Sequence, residues 1–298
     1  RLRRALRHFS HLFANLVTHP KANEGQRPHD KEYSDNDLRP IFILGFHRGG
    51  TTFLQRIVNC SEEVMIWGEH RGVASFYAKA HAKFLCSPIR SSQAGRIGRP
   101  MTVLDSWSAW ENKHSKESYT RLLRIHFLDL FAVGDGETRW GFKEILDTDK
   151  STIDFLRLLF PESKILILRR DPVDVFLSQY FARWNKDFRK RGHLQCASDF
   201  AEAYNLQSST YRSIAEDVER SLVLNYEELL EPRHAAPKIF SFLGLNCTDD
   251  VMKKVADVAN AVVGSSYQGS EGQININEKD DLRASISPIL RKRLERWD

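Results

Sequence analysis

The stretch Ile41-Phe42-Ile43-Leu44-Gly45-Phe46-His47-Arg48-Gly49-Gly50-Thr51-Thr52 decides the fold. Apolar residues on four consecutive positions, Ile41 to Leu44, bury both faces of a strand, as the centre of a parallel sheet requires. The run stops at Gly45. Phe53, Leu54, Ile57 and Val58 then recur at helical spacing. Strand, glycine loop and helix in that order make a phosphate-binding turn, because backbone N–H groups at a helix start hold an anion. Against the ATP-binding loop G-x-x-x-x-G-K-[ST], Gly45 and Gly50 keep the spacing, Thr51 takes the lysine's place and Thr52 keeps the hydroxyl. Loss of the lysine argues against an ordinary ATPase or kinase. Arg48 supplies the loop's cation instead, with a fork suited to two oxygens.

The same unit recurs downstream. Lys164 to Leu168 is a second buried strand, running into Arg169-Arg170, with Asp171 as N-cap and Pro172 at the first helical position. Val173, Phe176, Leu177, Tyr180 and Phe181 form one helix face. Shorter strands are expected at residues 65–67, 140–142 and 221–224. Helices are expected before residue 164, capped by Ser151, and over Ala235–Leu243, stopped by Gly244. Buried strands alternating with helices predict an α/β fold, a central parallel sheet flanked by helices. Residues 39–298 are read as one domain. It is preceded over 1–38 by a basic amphipathic helix (Arg1 to Val17) and a polar linker. Residues 70–135 are less regular and are assigned to an acceptor-binding insertion, with Trp107, Trp110 and Tyr119 as candidate lining and 87–100 as surface loop.

The loop pattern F-x-x-G-x-x-R-x-G-T-T, here Phe42, Gly45, Arg48, Gly50, Thr51 and Thr52, resembles the 5′-phosphosulfate loop of sulfotransferases that use 3′-phosphoadenosine 5′-phosphosulfate (PAPS). A second stretch, Arg170-Asp171-Pro172-Val173-Asp174-Val175-Phe176-Leu177-Ser178, is similar to that family's R-D-P-x-D-x-x-x-S signature for the 3′-phosphate. Arg170 follows the carboxyl end of a parallel strand, where α/β sheets bind ligands. Ser178 lies about two turns into the next helix. A third stretch, Val223-Leu224-Asn225-Tyr226-Glu227-Glu228-Leu229, resembles the family's V-x-x-Y-E-x-L and sets Tyr226 near the adenosine. The resemblance covers residues 40–230. It implies a P-loop sulfotransferase fold, PAPS as donor with its bisphosphate (PAP) as product, and a donor site of His47, Arg48, Gly49, Gly50, Thr51, Thr52, Arg170, Ser178 and Tyr226. By analogy with relatives, Ser266 and Tyr267 close over the cofactor, with Lys279 a weaker candidate.

Sulfuryl transfer needs a base for the acceptor's proton and cations near the bridging oxygen. Glu69, in Trp67-Gly68-Glu69-His70-Arg71, resembles the glutamate that follows the loop at the same interval in tyrosylprotein sulfotransferases and is found in many bacterial relatives. Cytosolic relatives use histidine, which makes His47, His70 and His81 rivals. Lys143, in Trp140-Gly141-Phe142-Lys143-Glu144, resembles the W-G-x-K segment of bacterial members and is set toward the sulfate, while Arg48 stabilises charge. No metal-ligand spacing is visible. A kinase with an altered loop and a non-catalytic binder of nucleotides or polyanions are the alternatives.

Composition bounds the rest. The chain has 298 residues, 41% hydrophobic and 28% charged, which excludes wholesale disorder. No apolar run approaches the roughly 18–20 residues of a membrane span. The net charge of +5 suits an anionic ligand and gives no ground for a nucleic-acid partner. A small-molecule acceptor is expected first, with peptide or glycan as alternatives. Cys60, Cys86, Cys196 and Cys247 show no paired spacing and fit reduced thiols. The cytoplasm is the expected compartment, with the Golgi lumen the alternative if an anchor precedes residue 1. Asn59-Cys60-Ser61 and Asn246-Cys247-Thr248 match the glycosylation triplet.

Overall fold

The computed structural model describes residues 33–86, 116–145, 149–182, 186–264 and 276–294. The amphipathic segment 1–17, loop 87–100, Trp107, Trp110, Ser266 and Tyr267 lie outside the described residues. Five strands form one parallel sheet: β1 (Ile41–Gly45), β2 (Val64–Trp67), β3 (Arg139–Glu144), β4 (Lys164–Arg169) and β5 (Ser221–Asn225), in the order β2-β3-β1-β4-β5. Position in the sheet explains the residue pattern. Central β1 and β3 are buried at every residue, whereas edge strand β2 alternates buried and exposed.

Helices cover both faces. In chain order they are α1 (Thr51–Val58), α2 (Val73–Cys86), α3 (Lys116–Phe131), α4 (Lys150–Leu159), α5 (Pro172–Tyr180), α6 (Lys186–Arg189), α7 (His193–Ala215), α8 (Tyr226–Leu229), α9 (Pro232–Leu243), α10 (Asp249–Gly264) and α11 (Ile276–Arg293). On one face Ile41, Ile43, Leu166 and Leu168 pack with Leu54 and Ile57 of α1 and with Ile239 and Phe240 of α9. On the other, Phe42 meets Trp140 and Phe142, and Trp140 meets Phe131 of α3 and Phe160. Among the described residues no helix is long and apolar enough to cross a membrane.

One expectation is corrected. The cap of α4 is Asp149 rather than Ser151: its carboxylate accepts from the Thr152 N–H at 2.8 Å, and Ser151 lies inside the first turn. Within 70–135, α2 and α3 are helices that the sequence reading does not place, and residues 87–115 lie outside the described residues. Tyr119 packs there on Phe84, with ring centroids 4.1 Å apart, and on His81. Of the thiols, Cys60 and Cys196 are buried and Cys247 is exposed, all three free. Asn59 closes α1, and its amide accepts from the Ile66 N–H at 2.8 Å and donates to the Ile66 carbonyl at 3.0 Å. It thus serves β2 as a neighbouring strand would, on the strand that ends the sheet.

The register aligns the carboxyl ends. Leu44 stands opposite Glu144, Gly45 opposite Leu168, and Arg169 opposite Asn225. The turns after β1, β3, β4 and β5 therefore leave along one edge. From β1 the chain moves toward β2, and from β4 toward β5, which opens a crevice between β1 and β4. Strand β3 approaches β1 so closely at Gly141 that an added Cβ would stand 1.8 Å from the Ile41 carbonyl oxygen. That contact is backbone in a central strand and has no room to yield. Gly141→Ala is expected to destabilise the fold by about 3 kcal/mol or more, lowering the melting temperature by roughly 5–10 °C in thermal denaturation.

Candidate active site

The loop between β1 and α1 is shaped by its backbone. Arg48 and Gly50 both adopt positive φ, 66° and 96°. An added Cβ on Gly50 would meet the Tyr226 ring at 2.4 Å, so the loop has room only for glycine there. Gly49 donates to the Phe46 carbonyl at 2.8 Å, which closes the turn. Gly50 is the N-cap of α1 and contributes no side-chain cap. Gly50 therefore does not cap the first-turn N–H groups of Thr51 and Thr52, and a helix start of this kind suits an anion.

The second arginine turn packs against the first. The Arg170 guanidinium donates to the Arg48 carbonyl at 3.3 Å and lies over the Tyr226 ring, 4.3 Å from its centroid. Arg48 Nε donates to Ser178 Oγ at 3.0 Å. The structure thus brings Arg48, Gly50, Arg170, Ser178 and Tyr226 into one crevice. Asp171 caps α5 as expected, accepting from the N–H groups of Val173 and Asp174. A doubly phosphorylated ligand fits this set. Arg170 Nε is buried with no hydrogen-bond partner among the described residues, an unmatched cationic donor of the kind a phosphate satisfies.

Sequence reasoning missed several supports of this crevice. Gln179 Nε2 donates to the His47 carbonyl at 2.8 Å. Tyr211 donates to the Gly45 carbonyl at 3.0 Å, and Tyr204 to the Arg170 carbonyl at 3.4 Å. Phe46 stacks on Tyr204 with centroids 4.0 Å apart. A signal was present: Tyr204 and Tyr211 are seven residues apart on α7 and so share one face.

The second cluster stands at the ends of β2 and β3. Trp67 is opposite Phe142, which sets Gly68 level with Lys143. Trp67 Nε1 donates to the Phe131 carbonyl at 2.7 Å and fixes the end of β2 against α3. The Lys143 ammonium pairs closely with the Glu69 carboxylate. Lys143 is only 5% exposed, so it is not a strand-end lysine in solvent.

The three histidines differ. Burial pushes the His47 imidazole below its usual range; Glu69 draws it up, while Arg48 and Lys143 push it down. His47 therefore shares the electrostatic surroundings of both clusters. His70 packs on Phe131 and Phe142 with its Nε2 buried and unpartnered among the described residues, and burial also lowers its pKa, with Glu144 opposing. His81 is buried on α2, bonded to Thr120 at 2.9 Å and depressed by burial. Lys279 is half-buried on α11. Among the described residues no group of three or more His, Cys, Asp or Glu side chains could hold a metal ion.

Solved structures of sulfotransferases match the chain at low identity. Sulfotransferase STF1 from Mycobacterium tuberculosis H37Rv is 15% identical, with 87% of this chain and 78% of that chain covered and a TM-score of 0.43. The sulfotransferase domain of the Synechococcus PCC 7002 olefin synthase is 16% identical, covering 89% of this chain and 98% of that one, with a TM-score of 0.44. Mouse sulfotransferase SULT7A1, complexed with PAP, is 14% identical over 77% of this chain and 66% of its own, with a TM-score of 0.42. No curated protein matches the chain. The family described as "Sulfotransferase family" matches residues 40–250, a span that takes in all five strands, both arginine turns and the Glu69–Lys143 pair. Well over half of the sequence lies within that match, and the chain belongs to the sulfotransferase family.

Proposed function

We propose that this sulfotransferase takes its sulfuryl group from PAPS and passes it to a hydroxyl of a small-molecule acceptor, with Glu69 as general base. The observation that carries the reading is the crevice between β1 and β4, where the Arg170 guanidinium meets the Arg48 carbonyl and Arg48 meets Ser178. Two cationic turns so joined suit a ligand charged at both ends. The α1 amino end with Arg48 would hold the phosphosulfate, and Arg170 with Ser178 the 3′-phosphate. Tyr226, already beneath a guanidinium, offers a flat face to an adenine.

The donor supplies the activated sulfuryl group. Glu69 takes the acceptor's proton as the acceptor oxygen bonds to sulfur. Arg48 and Lys143 meet the negative charge that grows on the bridging oxygen as its bond to sulfur breaks. The ion pair between Glu69 and Lys143 supports a reading in which base and cation act side by side. Calorimetric titration with adenosine 3′,5′-bisphosphate tests the donor half. One-to-one binding without added metal is expected, and labelled sulfate should then pass to a member of a phenol, alcohol and sugar panel. Absence of bisphosphate binding, with Mg²⁺-dependent ATP turnover in its place, would overturn the reading.

A further inference from the structure

We infer that Glu144 is a positioning residue for Glu69, pinning the turn that carries its carboxylate. The inference rests on Glu69 being the base. Glu144 ends β3 and is only 2% exposed. An acidic side chain that deep needs partners. Its Oε2 accepts from the Gly72 N–H at 3.0 Å and its Oε1 from the Ile145 N–H at 2.9 Å. One carboxylate therefore ties the 68–72 turn to the end of β3.

The turn needs such a tie. Arg71 and Gly72 are both left-handed, with φ of 56° and 76°. Arg71 is one of two non-glycine residues in that region among the described residues, and the other is Arg48 of the phosphate loop. A side chain held in this conformation is sustained by its surroundings. Upstream of Glu69, Gly68 stands in open space, where an added Cβ would meet nothing within 4 Å. The restraint comes from the other flank, where His70 packs on Phe131 and Phe142 and Gly72 is bonded to Glu144.

Neighbouring residues of a strand point to opposite faces. Lys143 and Glu144 thus divide the work at one strand end: Lys143 grips the Glu69 carboxylate directly, and Glu144 grips the backbone three residues beyond it. Only a carboxylate serves both N–H donors. A glutamine would offer one acceptor oxygen and turn its amide N–H groups toward the other donor. Glu144→Gln should therefore free one end of the tie without altering volume.

The test uses the full chain and three readouts. Hydrogen exchange at the Gly72 amide should be roughly 10- to 100-fold faster in Glu144→Gln, as the loss of a charge-assisted bond implies. Turnover of PAPS, to a phenol or sugar acceptor or to water, should fall about 10- to 100-fold. Calorimetric affinity for adenosine 3′,5′-bisphosphate should stay at the wild-type value, because the tie from Glu144 to Gly72 and Ile145 lies on the β2–β3 side of the site, away from the crevice between β1 and β4. Gly72→Ala, strained at its positive φ, should give the same pattern, and the double variant should lose no more than the worse single one. Unchanged exchange at Gly72 in both Glu144→Gln and Glu144→Ala, the second of which removes both acceptor oxygens, overturns the inference. So does wild-type turnover in Glu144→Gln where Glu69→Gln is inactive, and so does a joint loss of turnover and bisphosphate affinity, which marks a merely structural role. If Glu69→Gln keeps full turnover, the base reading fails instead, while the exchange result still reports on the tie.

Discussion

Glu69→Gln should bind adenosine 3′,5′-bisphosphate within about twofold of the wild type and lose roughly 10²–10⁴-fold in kcat. The substitution keeps the shape and a hydrogen-bond acceptor for Lys143, and removes the capacity to take a proton. The crevice between β1 and β4 is untouched, since Glu69 belongs to the turn after β2, beside the end of β3. Loss of rate without loss of donor affinity separates a proton acceptor from a structural carboxylate. The competing base is His47, whose imidazole shares the field of Glu69, Arg48 and Lys143. Burial lowers the pKa of that ring, which favours its neutral, proton-accepting form, so the two variants must be compared. Steady-state turnover of Glu69→Gln and His47→Gln decides: a wild-type rate in the first with loss in the second would move the base to His47.

The parts of this site legible in the sequence are those with a local cause. Ile41 to Leu44 and Ile165 to Leu168 are apolar at every position because neighbours cover both their faces, and so short a run bounded by turn residues seldom arises outside a buried strand. The turn chemistry is equally local. Gly50 sits at positive φ, which favours glycine, and Asp171 with Pro172 is a favourable helix start. The supports of the site have no such local cause. Tyr211 reaches Gly45 across 166 residues and Gln179 reaches His47 across 132. Spacing along the chain cannot reveal partners set by sheet order. Glu144 is the sharpest case: its place in the sequence assigns it no role, yet it is buried in the fold with both carboxylate oxygens bonded. The start of α4 shows a different limit. Asp149 and Ser151 are both good caps two residues apart, and only the backbone decides which side chain faces the Thr152 N–H.

Arg48→Ala should weaken adenosine 3′,5′-bisphosphate binding tenfold or more, by about 1.4 kcal/mol at least, and lower kcat/KM by about 10³-fold or more. Two roles meet in this residue. Its guanidinium is the cation of a loop that has Thr51 where a lysine would serve, and its Nε already spans to Ser178 on the helix of the second turn. Removing it takes charge from the reacting end and a link from the other. The backbone adds a second effect, since Arg48 sits at φ 66° and alanine there keeps the strain while losing the contacts. Arg48→Gly relieves that strain. If the backbone alone mattered, the glycine variant would recover affinity and rate; if the guanidinium matters, it stays as impaired as the alanine variant. Arg48→Lys restores charge without the planar fork and should fall between, regaining bisphosphate affinity more fully than rate. Titration calorimetry and initial-rate measurements on the three variants read these differences. Bisphosphate affinity and kcat/KM at wild-type values in Arg48→Ala would remove Arg48 from the donor site. The crevice would then have to hold its ligand with Arg170 as the arginine in contact.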